Sequence, residues 1–178
     1  MYDVIIVGGG PAGLSAALVL GRCRRRVLLV DLNQLRSPQT PALRAFLTRD
    51  GIDPGELRRI GREQLRPYDT VEIHDGQVVD ATCDRGRPFR RKLNCVFTAR
   101  GLVRTGRWES SNVPGLFVAG DASRNVQLAI IAAAEGAEAA FAINTSLHQD
   151  RVRAIRAEPP ASGALSGSRR TPRRGGRL

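Results

Sequence analysis

An α/β fold, three-layered and built on a parallel central sheet, is what this sequence predicts, and three observations carry it. Residues 2 to 31 read strand, turn, helix, strand: Val4 to Val7 is apolar, Pro11 to Gly21 is helix-forming, and Val27 to Val30 is wholly apolar up to Asp31. Both strands are apolar on both faces, as a covered parallel sheet requires. A helix then precedes the next apolar strand and can serve as a crossover. Finally, the apolar stretch Leu116 to Ala122 runs into a long alanine-rich helix. With 178 residues, 42% of them hydrophobic, the chain has one core's worth of apolar side chains, read as one domain over residues 1–150 and a tail over residues 151–178.

The elements follow in chain order. Leu32 to Asp50 is mixed and broken by Pro38 and Pro41, so it is read as loop with a short helical piece at Ala42 to Leu47. A helix starts cleanly after it: Asp53 can cap, Pro54 suits the first turn, and Glu56 completes a capping-box arrangement. Leu57, Ile60 and Leu65 give that helix an apolar face, and Arg58, Arg59, Arg62 and Arg66 are read as solvated. The stretch TVEIHDGQVVDA, residues 70–81, offers either a hairpin turning at Asp75 and Gly76 or a third parallel strand at Val71 to Ile73. The helix before it favours the parallel strand. Residues 83–94, CDRGRPFRRKLN, are charged and poorly periodic and read as a connector. Val126 to Leu147 reads as one helix, buried because alanine occupies nearly every face. From Arg151 onward proline, glycine, serine and arginine predict a disordered basic tail.

Composition narrows the function classes. Net charge is +11, but residues 151–178 hold eight arginines against the single acid Glu158, so the tail supplies +7 and the rest about +4. The tail lacks interleaved aromatic residues, which argues against nucleic-acid binding. Cys23, Cys83 and Cys95 are odd in number and widely spaced, a pattern of neither a disulfide framework nor a zinc site, and no C-x-x-C occurs. His74 and His148 are isolated and read as surface residues, and Trp108 as loop packing. The chain opens on a strand without a basic leader, and no apolar run approaches the roughly 18 residues of a membrane span; a cytoplasmic protein is expected, with no membrane partner.

The chemistry starts at GGGPAG. Gly8, Gly10 and Gly13 form G-x-G-x-x-G, with Pro11 and Ala12 inside it. Gly8 permits the tight turn, Gly10 lets the backbone approach a pyrophosphate, and Gly13 lets the helix lie close on the sheet. The helix N-terminus then offers the anion free N–H groups and the positive end of its dipole. Asp31 ends the next strand, where it can accept hydrogen bonds from adenosine ribose hydroxyls; its charge opposes a 2′-phosphate, with Arg36 nearby as an opening for NADP. NAD and FAD share this half-site, and the motif does not choose between them.

A second motif does. NVPGLFVAGDASRNVQLAIIAAAEGAEAA carries Gly120 and Asp121 at the end of a strand, followed by the start of a long helix near Val126 and Gln127. With both motifs in view, residues 1 to about 82 and about 95 to 148 resemble the FAD-dependent pyridine nucleotide-disulfide oxidoreductases, within them the thioredoxin reductase-like branch. The resemblance implies a Rossmann-like FAD-binding fold. It assigns Asp121 to the ribityl and phosphate region of FAD, with Gly120 permitting the approach, and aims the helix that begins at Val126 and Gln127 at the flavin's pyrimidine edge. It also implies a homodimer and oxidoreductase chemistry by hydride or electron transfer.

The chain departs from that family in its middle. Full members carry a second nucleotide domain for NAD(P)H between the two flavin motifs, and thioredoxin reductases proper carry a C-x-x-C there. Here about 30 residues separate Ala81 from Val113, with no second G-x-G-x-x-G. The expectation is an internally truncated flavin domain, joined within residues 83–94. Reduction would then come from external NAD(P)H or from a redox partner protein, and a non-catalytic FAD-binding subunit is the alternative. Lost cover over the sheet is expected to expose apolar surface.

Overall fold

A computed structural model describes residues 1–34, 40–83, 91–123 and 128–157. Three parallel strands form the sheet: β1 (Val4–Val7), β2 (Val27–Asp31) and β3 (Val71–Asp75), with β2 in the middle. Val4 lies opposite Val27, and Val27 opposite Val71. The parallel reading of residues 71–73 is therefore the one that forms. The hairpin is not made, and the Gly76 N–H instead donates to the Asp31 carbonyl at 2.9 Å.

Helix α1 (Pro11–Arg22) connects β1 to β2, and α2 (Pro54–Leu65) leads into β3. The start of α2 is as expected, with the Asp53 carboxylate accepting from the Glu56 N–H at 2.9 Å. Glu56 itself turns to Arg59. Leu14 and Ala17 of α1, Leu65 of α2 and Leu29 of β2 make one core cluster; Ala16 and Leu20 of α1 make another with Val27 and Ala140. Ala140 belongs to α3 (Ala129–Ala157), which runs along α1 in the same direction. Gly136 meets Ala12 near one end of α1, and Asn144 accepts from Arg25 Nε at 2.7 Å beyond the other. The Gly136 contact is backbone against backbone: a Cβ there would lie 2.0 Å from the Ala12 carbonyl oxygen.

Several elements differ from their sequence reading. Ala42 to Leu47 is not helical. Ala45 and Thr48 sit at φ 58° and 71°, the chain doubles back so that the Leu43 N–H donates to the Ile52 carbonyl at 2.8 Å, and the Asp50 carboxylate accepts from the Ala45 N–H at 2.7 Å. So short a stretch cannot repay helix nucleation when an aspartate offers its backbone a turn. Leu116 to Ala122 does not join the parallel sheet: Phe117 makes an isolated antiparallel bridge with Ser110, and Gly120–Ala122 is a 3₁₀ turn. Its apolar pattern marks an extended stretch but does not name its partner, and residues 109–111 are the local one.

Helix α3 runs past Leu147 to Ala157 and takes in Arg151, Arg153 and Arg156 from the expected tail. No proline intervenes before Pro159, and alanine and arginine are strong helix formers. Nor is α3 buried all round: it buries a stripe through Ala132, Glu135, Gly136, Ala139 and Ala140, leaving Phe141 and Ile155 exposed. Within the connector, β4 (Thr82–Cys83) pairs antiparallel with β5 (Arg91–Lys92); residues 84–90, most of the expected join, and residues 158–178 of the tail lie outside the described residues. On the sheet face away from these core clusters, Ile5 and Val7 are 62% and 63% exposed.

Because the α1 to α3 approach leaves no room for a side chain, Gly136→Val is expected to destabilise the protein by about 2 kcal/mol or more, the upper part of the overpacking range. Urea unfolding checks this, and a midpoint equal to wild type would mean that α3 does not dock through Gly136.

Candidate dinucleotide site

The glycine loop lies between the C-terminal end of β1 and the first turn of α1. Gly8 adopts φ +100°, a conformation that L side chains rarely take, and its N–H donates to the Val30 carbonyl at 2.8 Å. At Gly13 a Cβ would lie 1.9 Å from the Gly8 carbonyl oxygen, so only glycine lets the helix close on the turn. Gly10 is the contrast: it caps α1 in an extended conformation, and a Cβ added there would meet nothing within 4 Å. No side chain caps the helix, and Pro11 has no N–H of its own to satisfy. The N–H groups of Ala12 and Gly13 thus head a helix whose entrance is open at Gly10, where a pyrophosphate fits.

Asp31 sits at the C-terminal end of β2, 6% exposed. Its carboxylate accepts from Arg58 Nη2 at 2.5 Å, and Arg62 Nη2 stands 3.7 Å away while also pairing with Asp75. Arg58 donates further from Nε to the Gly9 carbonyl and from Nη2 to Asn33 Oδ1, each at 3.2 Å. Arg58 is therefore 8% exposed and not the solvated residue read from the sequence. The buried face of α2 follows Pro54, Arg58 and Leu65, with Gly61 against Leu14, and a cation belongs on that stripe because Asp31 lies beneath it. Burial pushes the Asp31 pKa up. The Gly9 N–H, Arg58 and the Asn33 N–H outweigh that, and hold it below the ordinary carboxylate range.

The Gly-Asp motif comes to the same turn of α1. Gly120, at φ +77°, lies so close to it that a Cβ would be 3.3 Å from the Ala12 side chain and 3.6 Å from Ala132. Its N–H donates to Glu135 Oε2 at 2.6 Å, and Glu135 is buried on α3. Asp121 is half-buried in the 3₁₀ turn that follows. Gly8, Gly10, Pro11, Ala12, Gly13, Asp31, Gly120 and Asp121 thus gather around one helix start; Gln127, Val126 and Arg36 lie outside the described residues.

Sequence reasoning missed three contributors: Arg58, Gly9 and Glu135. Gly9 is an x of the motif, yet its Cβ would lie 2.4 Å from Asp31 Oδ2. A signal for Glu135 exists in hindsight, a lone acid inside the alanine and glycine stripe of α3 that must find a buried donor. Among the described residues, no group of three His, Cys, Asp or Glu could hold a metal, His74 and His148 are exposed, and no helix is long and apolar enough to cross a membrane. Cys23 and Cys95 are free thiols, Cys23 exposed. Trp108 packs on Phe141, ring centroids 5.8 Å apart, under the Arg107 guanidinium.

A carboxylate whose folded pKa is depressed stabilises fully above its unfolded value near 3.9, and that contribution disappears as pH falls through the folded one. Asp31→Asn, which strands Arg58 in a buried place, is expected to cost about 3 kcal/mol at pH 7. Urea unfolding from pH 7 to pH 2 should show wild type and variant converging below pH 4; a constant gap would mean that Asp31 is not charged in the fold.

The sequence pattern of the pyridine nucleotide-disulphide oxidoreductases matches residues 2–87. The chain is 44% identical over 77 residues to the protein named Probable thioredoxin reductase of Arthroderma benhamiae, covering 43% of this chain and 19% of that one. It is 37% identical over 141 residues to sarcosine oxidase subunit alpha of Rhizobium meliloti, covering 66% and 14% respectively. The chain spans 19% to 24% of the length of the first thioredoxin reductases it matches. The solved oxidoreductase from Agrobacterium tumefaciens superposes with a TM-score of 0.71 at 18% identity, over 83% of this chain and 99% of that one, a likeness of fold. With the glycine loop, the acid that ends β2 and the Gly-Asp turn gathered at one helix start, this chain resembles the pyridine nucleotide-disulphide oxidoreductases over residues 2–87, and the relatives it matches include thioredoxin reductases.

Proposed function

We propose that the chain binds FAD across the first turn of α1 and serves as a flavin-dependent oxidoreductase. The observation that carries this reading is the approach of Gly120 to Ala12, which brings the two motifs to one helix start, as a single elongated cofactor requires. In this reading the N–H groups of the Gly10 to Gly13 turn hold the pyrophosphate, Asp31 accepts from the adenosine ribose, and Asp121 holds the ribityl and phosphate region. Gln127 is assigned by the family resemblance to the flavin's pyrimidine edge. FAD, once bound, supplies hydride and electron transfer; the protein orients it and keeps water from its anionic end. NAD(P)H acting from outside, or a redox partner protein, supplies the reducing equivalents.

A second reading is an FAD-binding subunit that depends on a partner. The exposed Ile5 and Val7 favour it, since a homodimer or a docked protein would cover them. So do the single glycine motif, the absence of C-x-x-C from the sequence, and the likeness to a protein that is itself a subunit.

The visible spectrum of the protein reconstituted with FAD, before and after NADPH without oxygen, separates the readings. A flavin spectrum that bleaches supports the reductase; one that persists supports the subunit; no bound flavin refutes both. Gly10→Val fills space that the fold leaves open, so the variant should fold with an unchanged unfolding midpoint and lose FAD binding by at least a hundredfold. A variant that stays yellow would remove the pyrophosphate assignment. Asp121→Ala should weaken FAD retention roughly tenfold, the loss of one hydrogen bond to a charged group, and unchanged flavin stoichiometry on dilution would remove Asp121 from the site.

A further inference from the structure

We infer that Arg58 is a positioning residue of the dinucleotide site: through one buried guanidinium it sets both the ribose acceptor Asp31 and the Gly9 turn of the phosphate loop. The inference rests on the FAD reading above.

Three bonds carry it, and their partners come from two separate segments, the glycine loop and the chain that ends and follows β2. Nε reaches the Gly9 carbonyl in the glycine loop, while Nη2 reaches Asp31 at the end of β2 and Asn33 in the loop after it. A guanidinium presents its donors in a rigid plane, so satisfying all three at once fixes the loop and the carboxylate relative to each other. The Gly9 contact is tight, since even a Cβ there would collide with the Asp31 carboxylate. Loop and acid therefore pack as one unit, and Arg58 is the side chain that spans it from α2. A buried ion pair of this kind is a poor source of net stability, because desolvation offsets most of its attraction. What it secures is geometry: the Gly9 peptide held with its carbonyl toward α2 and its N–H toward Asp31.

The charge environment of Asp31 points the same way. From α2 it faces Arg58 at 2.5 Å and Arg62 at 3.7 Å; from β3, Asp75 is engaged by Arg62; among the described residues, the glycine loop and the segment after β2 offer it the backbone N–H groups of Gly9 and Asn33. With Arg58 in place the carboxylate stays ionised and can accept from ribose hydroxyls. Without it, a buried carboxylate left with Arg62 alone, at 3.7 Å and shared with Asp75, takes up a proton at higher pH.

The test compares wild type, Arg58→Met and Arg58→Lys as full chains, reading the FAD dissociation constant from flavin fluorescence between pH 5 and 8, with thermal unfolding and the ¹³C titration of the Asp31 carboxyl alongside. Wild-type affinity should be flat over this range. Arg58→Met should bind FAD at least tenfold more weakly at pH 8 and weaken by up to a further tenfold per pH unit below a raised Asp31 pKa. Arg58→Lys keeps the charge without the fork, and should show a flat profile at intermediate affinity. Arg58→Met with wild-type affinity overturns the inference. So does a uniform loss at every pH with Asp31 titrating as in wild type, which is the behaviour of a merely structural residue. Should Arg58→Met fail to fold, Arg58→Lys decides alone, since wild-type affinity in it removes the need for the fork. A wild-type protein that binds no FAD at any pH fails the FAD reading itself, visibly apart from any effect of Arg58, and the inference falls with it.

Discussion

Everything in this structure hangs on how closely the backbone can approach the first turn of α1. The Gly8 carbonyl lies against Gly13 from the sheet side, and Gly136 of α3 lies against the Ala12 carbonyl from the other. Gly120 reaches the Ala12 side chain from a third direction. The first two approaches exist only because a Cβ is missing, the third would be tight with one, and together they gather a strand end, a distant turn and a long helix around one helix start. Packing here serves position more than burial: the side chains at the point of convergence are small, and the larger apolar residues, Leu14, Leu20 and Leu29, lie farther along the core.

Two buried carboxylates hold what the glycines bring together. Asp31 ties the glycine loop to α2, and Glu135 ties the Gly120 turn to α3. In both cases an acid is removed from water and given strong donors in exchange, which makes the local geometry sensitive to the loss of either partner. The two anchors differ in kind. Glu135 accepts from a backbone N–H that every residue but proline supplies, whereas Asp31 depends on a side chain that mutagenesis can exchange.

The parallel sheet, α1, the start of α2 and the glycine loop were legible because each follows from local rules: apolar runs, a capping aspartate, and glycines where a turn or a close approach demands them. What the sequence left unread was set at a distance. Arg58 resembles its solvated neighbours until Asp31 lies beneath it. Leu116 to Ala122 has the apolar character of a sheet strand, yet its backbone pairs with residues 109–111. Ala42 to Leu47 has helix-forming residues, and Asp50 draws it into a turn. The end of α3 is hidden in the sequence because arginine content signals solvation, and solvation does not forbid a helix.

The α1 to α3 contact joins residues separated by most of the chain, and its closure depends only weakly on the length of what lies between them. Closing a flexible connection becomes harder only slowly with its length, by about 0.6 kcal/mol for each doubling. A seam that depends on Gly136 meeting Ala12 is therefore nearly indifferent to whether the intervening segment is a short connector or a whole inserted domain. Such a fold works as a socket with a fixed clasp, in which the middle of the chain can be lengthened, exchanged or removed while the clasp still closes.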